Sequence, residues 1–230
     1  MNKISTTHTK AKGFTLLELL IVIAIIAILA TIIVIIINPV EILKRARDVQ
    51  RLSDLASTRT AIALYLTTVA DPILDGNDGS NSGDKNTFCK NDSGNWTSNG
   101  RIFYSYIGTI SDGELDGNSN LSPETSSNPS RIDGTGWIPI DLGSSLSGSS
   151  PLSNLPLDPV NTVESLSDVK TTDYVYRYAC RRGPLSFELN ARLESEMYTD
   201  IDNKHETDGG DNQNLYEIGT RLDILQGGDL

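Results

Sequence analysis

One carboxylate stands inside an otherwise apolar run. From Phe14 to Ile37 the chain reads FTLLELLIVIAIIAILATIIVIII, and Glu18 is its single ionisable residue. A charged side chain within hydrocarbon costs about 2.5–3.5 kcal/mol on insertion scales, so such a residue calls for a partner and a function. Elsewhere, Cys89 and Cys180 could pair outside the reducing cytoplasm, the alternative being two free thiols. A bridge between them would close a loop of roughly 90 residues, worth at most about 4–5 kcal/mol in the chain-entropy account. Two oxygen-rich clusters could hold a hard cation: Asp112, Glu114 and Asp116 before Gly117, and Asp200, Asp202, Asp208 and Asp211 near the C-terminus. The first lacks an acid at its twelfth position, where Pro123 stands, and solvated turn residues are the other reading of both. Catalysis finds little support, because His8 lies in the basic N-terminus and His205 has no nucleophile near it in sequence.

Stepping outward from Glu18, the apolar run exceeds the roughly 20 residues that span a bilayer as a helix. Residues 1–13 carry Lys3, Lys10 and Lys12 and no acid. Lysines just before an apolar span keep that end in the cytoplasm and place the remainder across the membrane. A cleaved secretory signal would have a shorter apolar core and a small-residue cleavage site. A plain membrane anchor is the stronger alternative, but it leaves Glu18 without a purpose.

The stretch Lys12-Gly13-Phe14-Thr15-Leu16-Leu17-Glu18 resembles the cleavage signal of type IV prepilins and type II secretion pseudopilins. The resemblance covers about a tenth of the chain. It implies a membrane peptidase that cuts after Gly13 and methylates the new amine of Phe14, an inner-membrane assembly platform, and polymerisation with copies of the same chain. A glycine at the scissile bond lets a protease approach the backbone closely. The positive amine of Phe14 in one subunit would neutralise Glu18 of its neighbour, and such a buried pair chiefly sets register. The presence of Glu18 favours a shaft subunit over the one that initiates the tip. The resemblance also brings in calcium, which some major pseudopilins hold in a C-terminal loop. That favours the Asp200–Asp211 cluster, with no other cofactor implied.

One departure concerns proline. Many pilins carry one inside the apolar run, near where Ile35 stands here, whereas this chain has Asn38-Pro39 just past it. Proline removes a helical hydrogen bond and disfavours helix for the residue before it, so a kink is expected at Pro39. Beyond it, Val49, Leu52, Leu55, Ile62 and Leu66 form an apolar stripe, with Lys44, Arg47, Asp48, Arg51 and Asp54 opposite. Asp71-Pro72 is a stop signal. A helix from Phe14 to about Ala70 would be on the order of 85 Å long. The basic residues from Lys44 to Arg59 suit lipid headgroups, acidic neighbours or a solvated face.

The expected organisation is therefore a cleaved leader (1–13), a membrane and filament-core helix (14–38), its amphipathic continuation (39–70) and an extracellular head (71–230). Of 230 residues with a net charge of −11, all of the acid excess lies in that head, because residues 1–70 are net positive, and this argues against nucleic acid as its partner. Strands are expected at Arg101–Ile110, at Gly136–Leu142 as an edge, and in a hairpin of Asp173–Cys180 and Leu185–Leu193. In the second arm Leu185, Phe187, Leu189, Ala191 and Leu193 alternate with Ser186, Glu188, Asn190 and Arg192. The stretches Asp75–Gly100, Ser111–Thr135 and Gly143–Pro156 read as polar loops. The fold class is α+β: a long N-terminal helix on a C-terminal antiparallel sheet, as the resemblance also implies. Pro156-Leu157-Asp158-Pro159, followed by Tyr174 and Tyr176, is faintly similar to a run in the major pseudopilin of type II secretion. Motility, secretion, adhesion and uptake all stay open, as does a minor, surface-binding role.

Overall fold

A computed structural model describes residues 13–80, 84–110, 122–144, 146, 150–166 and 169–225. The leader residues before Gly13 and the Asp112–Gly117 cluster lie outside them. The chain divides into two compact units, Met1–Leu43 and Lys44–Leu230.

The first unit holds α1, Leu16–Ile37. Its Leu, Ile, Val and Ala content satisfies every backbone group within the helix, as a lipid-exposed segment must. Among the described residues this is the one helix long and apolar enough to cross a membrane, over Leu16–Val34 with mean hydropathy 3.1. A second helix, α2, spans Pro39–Thr68. The helical run is interrupted at one residue, Asn38, next to Pro39 where the sequence predicts a kink. Asn38 takes φ 44° and ψ 75°, a left-handed conformation that caps α1. Its carbonyl then accepts from the amide of Glu41 at 3.0 Å, and Pro39 opens α2. Asparagine visits the left-handed region more cheaply than branched residues do, and proline suits a first helical position.

The second unit is built on a five-stranded sheet. Its strands are β1 Arg101–Tyr104, β2 Ser122–Glu124, β3 Arg177–Arg181, β4 Ser186–Ala191 and β5 Tyr216–Gly219, in spatial order β2-β1-β3-β4-β5. All neighbours are antiparallel except β1 and β2. The hairpin β3–β4 is the centre, with Tyr178 opposite Leu189 and Cys180 opposite Phe187. One face packs Phe103, Tyr176, Tyr178, Phe187, Leu189 and Ala191 with Leu55, Ala61, Ile62 and Tyr65 of α2. This is the α+β, pilin-like layout that the sequence predicts: apolar helix, second helix, antiparallel sheet.

Four expectations are corrected. The buried face of α2 is Asp48, Arg51, Leu55, Thr58, Ala61, Ile62 and Tyr65, whereas Val49 is 52% exposed. Charge is compatible with burial there because acidic partners reach Arg51 from the head. The outer face of the sheet is also covered: Ile102, Tyr104, Val175 and Ala179 pack with Leu215, Ile224 and Leu225, so Glu188 and Asn190 are buried despite their alternation. The strand expected over Arg101–Ile110 ends at Tyr104. Past it, Asn161 takes over the backbone, accepting from Ile107 N–H at 3.0 Å and donating to the Ser105 carbonyl at 2.9 Å. Gly136–Leu142 forms no ladder beyond a single bridge between Asp133 and Asp141. Trp137, Ile138, Ile140 and Leu142 are all buried, and Pro139 offers no amide hydrogen to pair. β2 falls within an expected loop and β5 was not expected, since in four residues the alternation of Tyr216 and Ile218 is too short a pattern to mark a strand.

Candidate processing and assembly site

The site is the junction between the leader and α1. Gly13 lies before α1, outside any helix or strand, and no atom of the described residues comes within 4 Å of where its side chain would begin. Phe14 is 82% exposed. Thr15 caps α1 with φ −85° and ψ 151°: its hydroxyl oxygen accepts from Glu18 N–H at 3.2 Å. The Glu18 carboxylate reaches back, accepting from the Thr15 amide and the Thr15 hydroxyl, both at 2.9 Å. This reciprocal arrangement satisfies donors that the first helical turn would otherwise leave orphaned. Glu18 is thus not stranded within its own chain. The sequence reading missed this device, although threonine followed three residues later by glutamate before an apolar run is its signature.

Beyond Glu18 the helix is apolar on every side and every described side chain of Leu16–Val34 is exposed, so nothing in its own chain covers it. A core helix of a soluble domain would be mostly buried; this one is bare, as a segment meant for lipid or for other copies would be. Residues 8–34 match the family model of the prokaryotic N-terminal methylation motif. The chain carries the hallmark of type IV pilins and pseudopilins. No curated protein and no solved structure significantly matches it. The methylation motif implies processing by prepilin peptidase, and its apolar helix is that of a membrane-anchored precursor.

In the unit that begins at Lys44, the methylation-motif protein anchors α2 through charge as well as grease. The Arg51 guanidinium, fully buried, donates to both oxygens of Asp158 at 2.7 and 3.0 Å, to Asp48 at 2.8 Å and to Glu194 at 2.7 Å. It lies 5.0 Å from the ring centre of Tyr174. Burial opposes its charge, yet hydrogen bonds and the Asp158, Glu194 and Asp48 carboxylates push its pKa up. Glu194 also takes both N–H groups of Arg47 at 2.6 and 2.7 Å, which hold its carboxyl below the usual range against the effect of burial. Tyr176 donates to Asp54 at 3.0 Å. The residues of the Pro-Leu-Asp-Pro and Tyr-x-Tyr stretches therefore converge on one face of α2. The basic residues of α2 are largely occupied internally, with Arg59 donating to the Gly219 carbonyl at 3.2 Å.

A disulfide joins Cys89 to Cys180, tying the long loop before β1 to the central strand β3. The C-terminal aspartates serve the backbone and their neighbours. Asp202 pairs with Lys204 at 2.8 Å, and Asp208 accepts from Gly210 and Glu217 N–H at 2.9 and 2.7 Å. Asp200 is exposed, as is Asp211. Among the described residues no group of three or more acidic, histidine or cysteine side chains gathers as a metal site, and this holds for Asp200, Asp202, Asp208 and Asp211.

Proposed function

We propose that this chain is a structural subunit of an extracellular filament of the type IV pilus or pseudopilus kind. The leader is removed after Gly13, the amine of Phe14 is methylated, and subunits polymerise through α1 with Glu18 of one facing the Phe14 amine of the next. The observation that carries the reading is a bare apolar helix, capped by its own single carboxylate, lying within the methylation motif. Until assembly that helix has lipid as its partner; in the filament it has its copies. The assembly platform of the inner membrane would be what moves it from one to the other.

Mass spectrometry of the mature chain tests the processing step: a methylated phenylalanine at the N-terminus is expected. An unprocessed chain in cells that possess the peptidase, or a cut elsewhere, would refute it. Glu18→Ala tests assembly, with loss of sheared filaments expected while the protein still accumulates in the membrane.

The convergence of Asp158, Tyr174 and Tyr176 on α2 favours, within this reading, a major-type pseudopilin of a secretion system. A secretion defect on deletion, with no loss of surface adhesion, supports that narrower role. Scarcity in sheared filaments together with lost adhesion would instead indicate a minor, surface-binding subunit. Calcium binding belongs to the same narrower reading, and titration with calcium that leaves thermal stability unchanged would remove it.

A further inference from the structure

A cavity of about 500 Å³ opens where five segments of the second unit meet: α2, the loop before β3, the end of β4, a short helix α3 (Lys204–Thr207) and the turn before β5. Lys44 and Arg192 supply its charge. Neither pairs with a carboxylate among the described residues, and Arg192 instead lies 5.4 Å from the Tyr174 ring centre. Glu194 on the wall is engaged by Arg47 and Arg51. His205 is 8% exposed, lines the cavity, and its Nε2 has no hydrogen-bond partner. The amide side chains of Gln213 and Asn214 complete the wall.

We propose that this cavity binds a phosphate group, with Arg192 and Lys44 as its charged donors and His205, Gln213 and Asn214 as its neutral ones. In a chain of net charge −11, two unpaired cations facing one polar cavity mark a local site for an anion. A guanidinium fork and an ammonium are the donors that suit phosphate oxygens. Donors converging from four segments fit a tetrahedral oxyanion, whose oxygens point in several directions, better than a planar carboxylate. His205 has the buried nitrogen that lacks a partner; burial lowers its pKa, so near neutral pH it serves as a hydrogen-bonding ring and not as a third charge. Lys44 lies about ten residues past Val34, where the apolar span ends. Basic residues that follow an apolar span this closely in sequence suit lipid headgroups, so a membrane headgroup is one source of the phosphate. Free phosphate is the other.

The full-length chain would be followed by the ring resonances of His205, assigned by comparison with His205→Gln. In maltoside micelles, which carry no phosphate, inorganic phosphate should shift them saturably, while chloride at matched ionic strength should not. Arg192→Gln and Lys44→Gln should each weaken the response at least tenfold. In nanodiscs containing phosphatidylglycerol and no added phosphate, the same shift identifies the headgroup as the source, and its absence identifies free phosphate. No shift by inorganic phosphate in micelles and none in the nanodiscs would overturn the proposal. So would an equal response to chloride, or undiminished binding by Arg192→Gln. An unchanged thermal unfolding midpoint in each variant shows that it is folded.

Discussion

The Thr15 amide hydrogen points at the Glu18 carboxylate, 2.9 Å away, so Glu18 serves as the cap of its own helix. On the proposed reading, a subunit entering the filament would exchange this local partner for the amine of a neighbour. Such an exchange is gentler than leaving a bare carboxylate in lipid.

Thr15→Val should separate these two duties. It removes the hydroxyl's two hydrogen bonds and keeps the amide's. The first turn of α1 should loosen by about 1 kcal/mol, the usual worth of a helix cap. Faster amide exchange at Glu18 would register this, with filaments still formed. Loss of filaments equal to that of Glu18→Ala would mean that the cap itself is required.

Arg51→Ala should destabilise the head by about 3–5 kcal/mol, because Asp48 and Asp158 would be left buried without their cation. Arg51→Lys should recover only part of this, since an ammonium cannot grip both oxygens of Asp158 as the fork does. Thermal unfolding of the full chain in detergent measures both. A change below 1 kcal/mol for Arg51→Ala would show that the clamp holds little, against the expectation of roughly 3 or more.

Glu188 and Glu217 are buried on the outer face of the sheet, each with one carboxylate oxygen that has no hydrogen-bond donor, and burial raises the pKa of each above the ordinary 4.5. Glu188 also accepts from Ile224 and Leu225 N–H at 2.8 and 3.0 Å, pinning the C-terminal segment to β4. The folded state holds protons that the unfolded chain has released, so this contribution is full below about pH 4.5 and declines as pH rises through the elevated folded values. Glu217→Gln removes the second charge. It should raise the melting temperature at pH 8 by a few degrees and change it little at pH 5. A flat difference across that range would exclude protons held by these carboxyls.

Replacing Cys89 and Cys180 together by serine releases a loop of 91 residues. The head should lose up to roughly 4–5 kcal/mol. Reduction of the natural chain should lower its melting temperature by the same amount as the double substitution, and a difference between them would point to damage by the serines.

The methylation motif was legible in local sequence, and the reason is that its signals are local. Gly13, Phe14 and Glu18 lie within six residues, and an apolar run of helical length announces its solvent without help from the rest of the chain. The central hairpin was legible for a similar reason, since Phe187, Leu189 and Ala191 alternate on a face that needs only the neighbouring strand and α2. What pattern could not show was which polar residues go inside. Arg51 and Asp48 read as solvent-facing on α2 and are fully buried, because Asp158 and Glu194 arrive from more than a hundred residues away. Glu188 and Asn190 read as the wet side of β4, and only the returning C-terminal segment covers them. Periodicity reports the average polarity of a face, whereas burial of a charge depends on a particular partner brought by the tertiary fold.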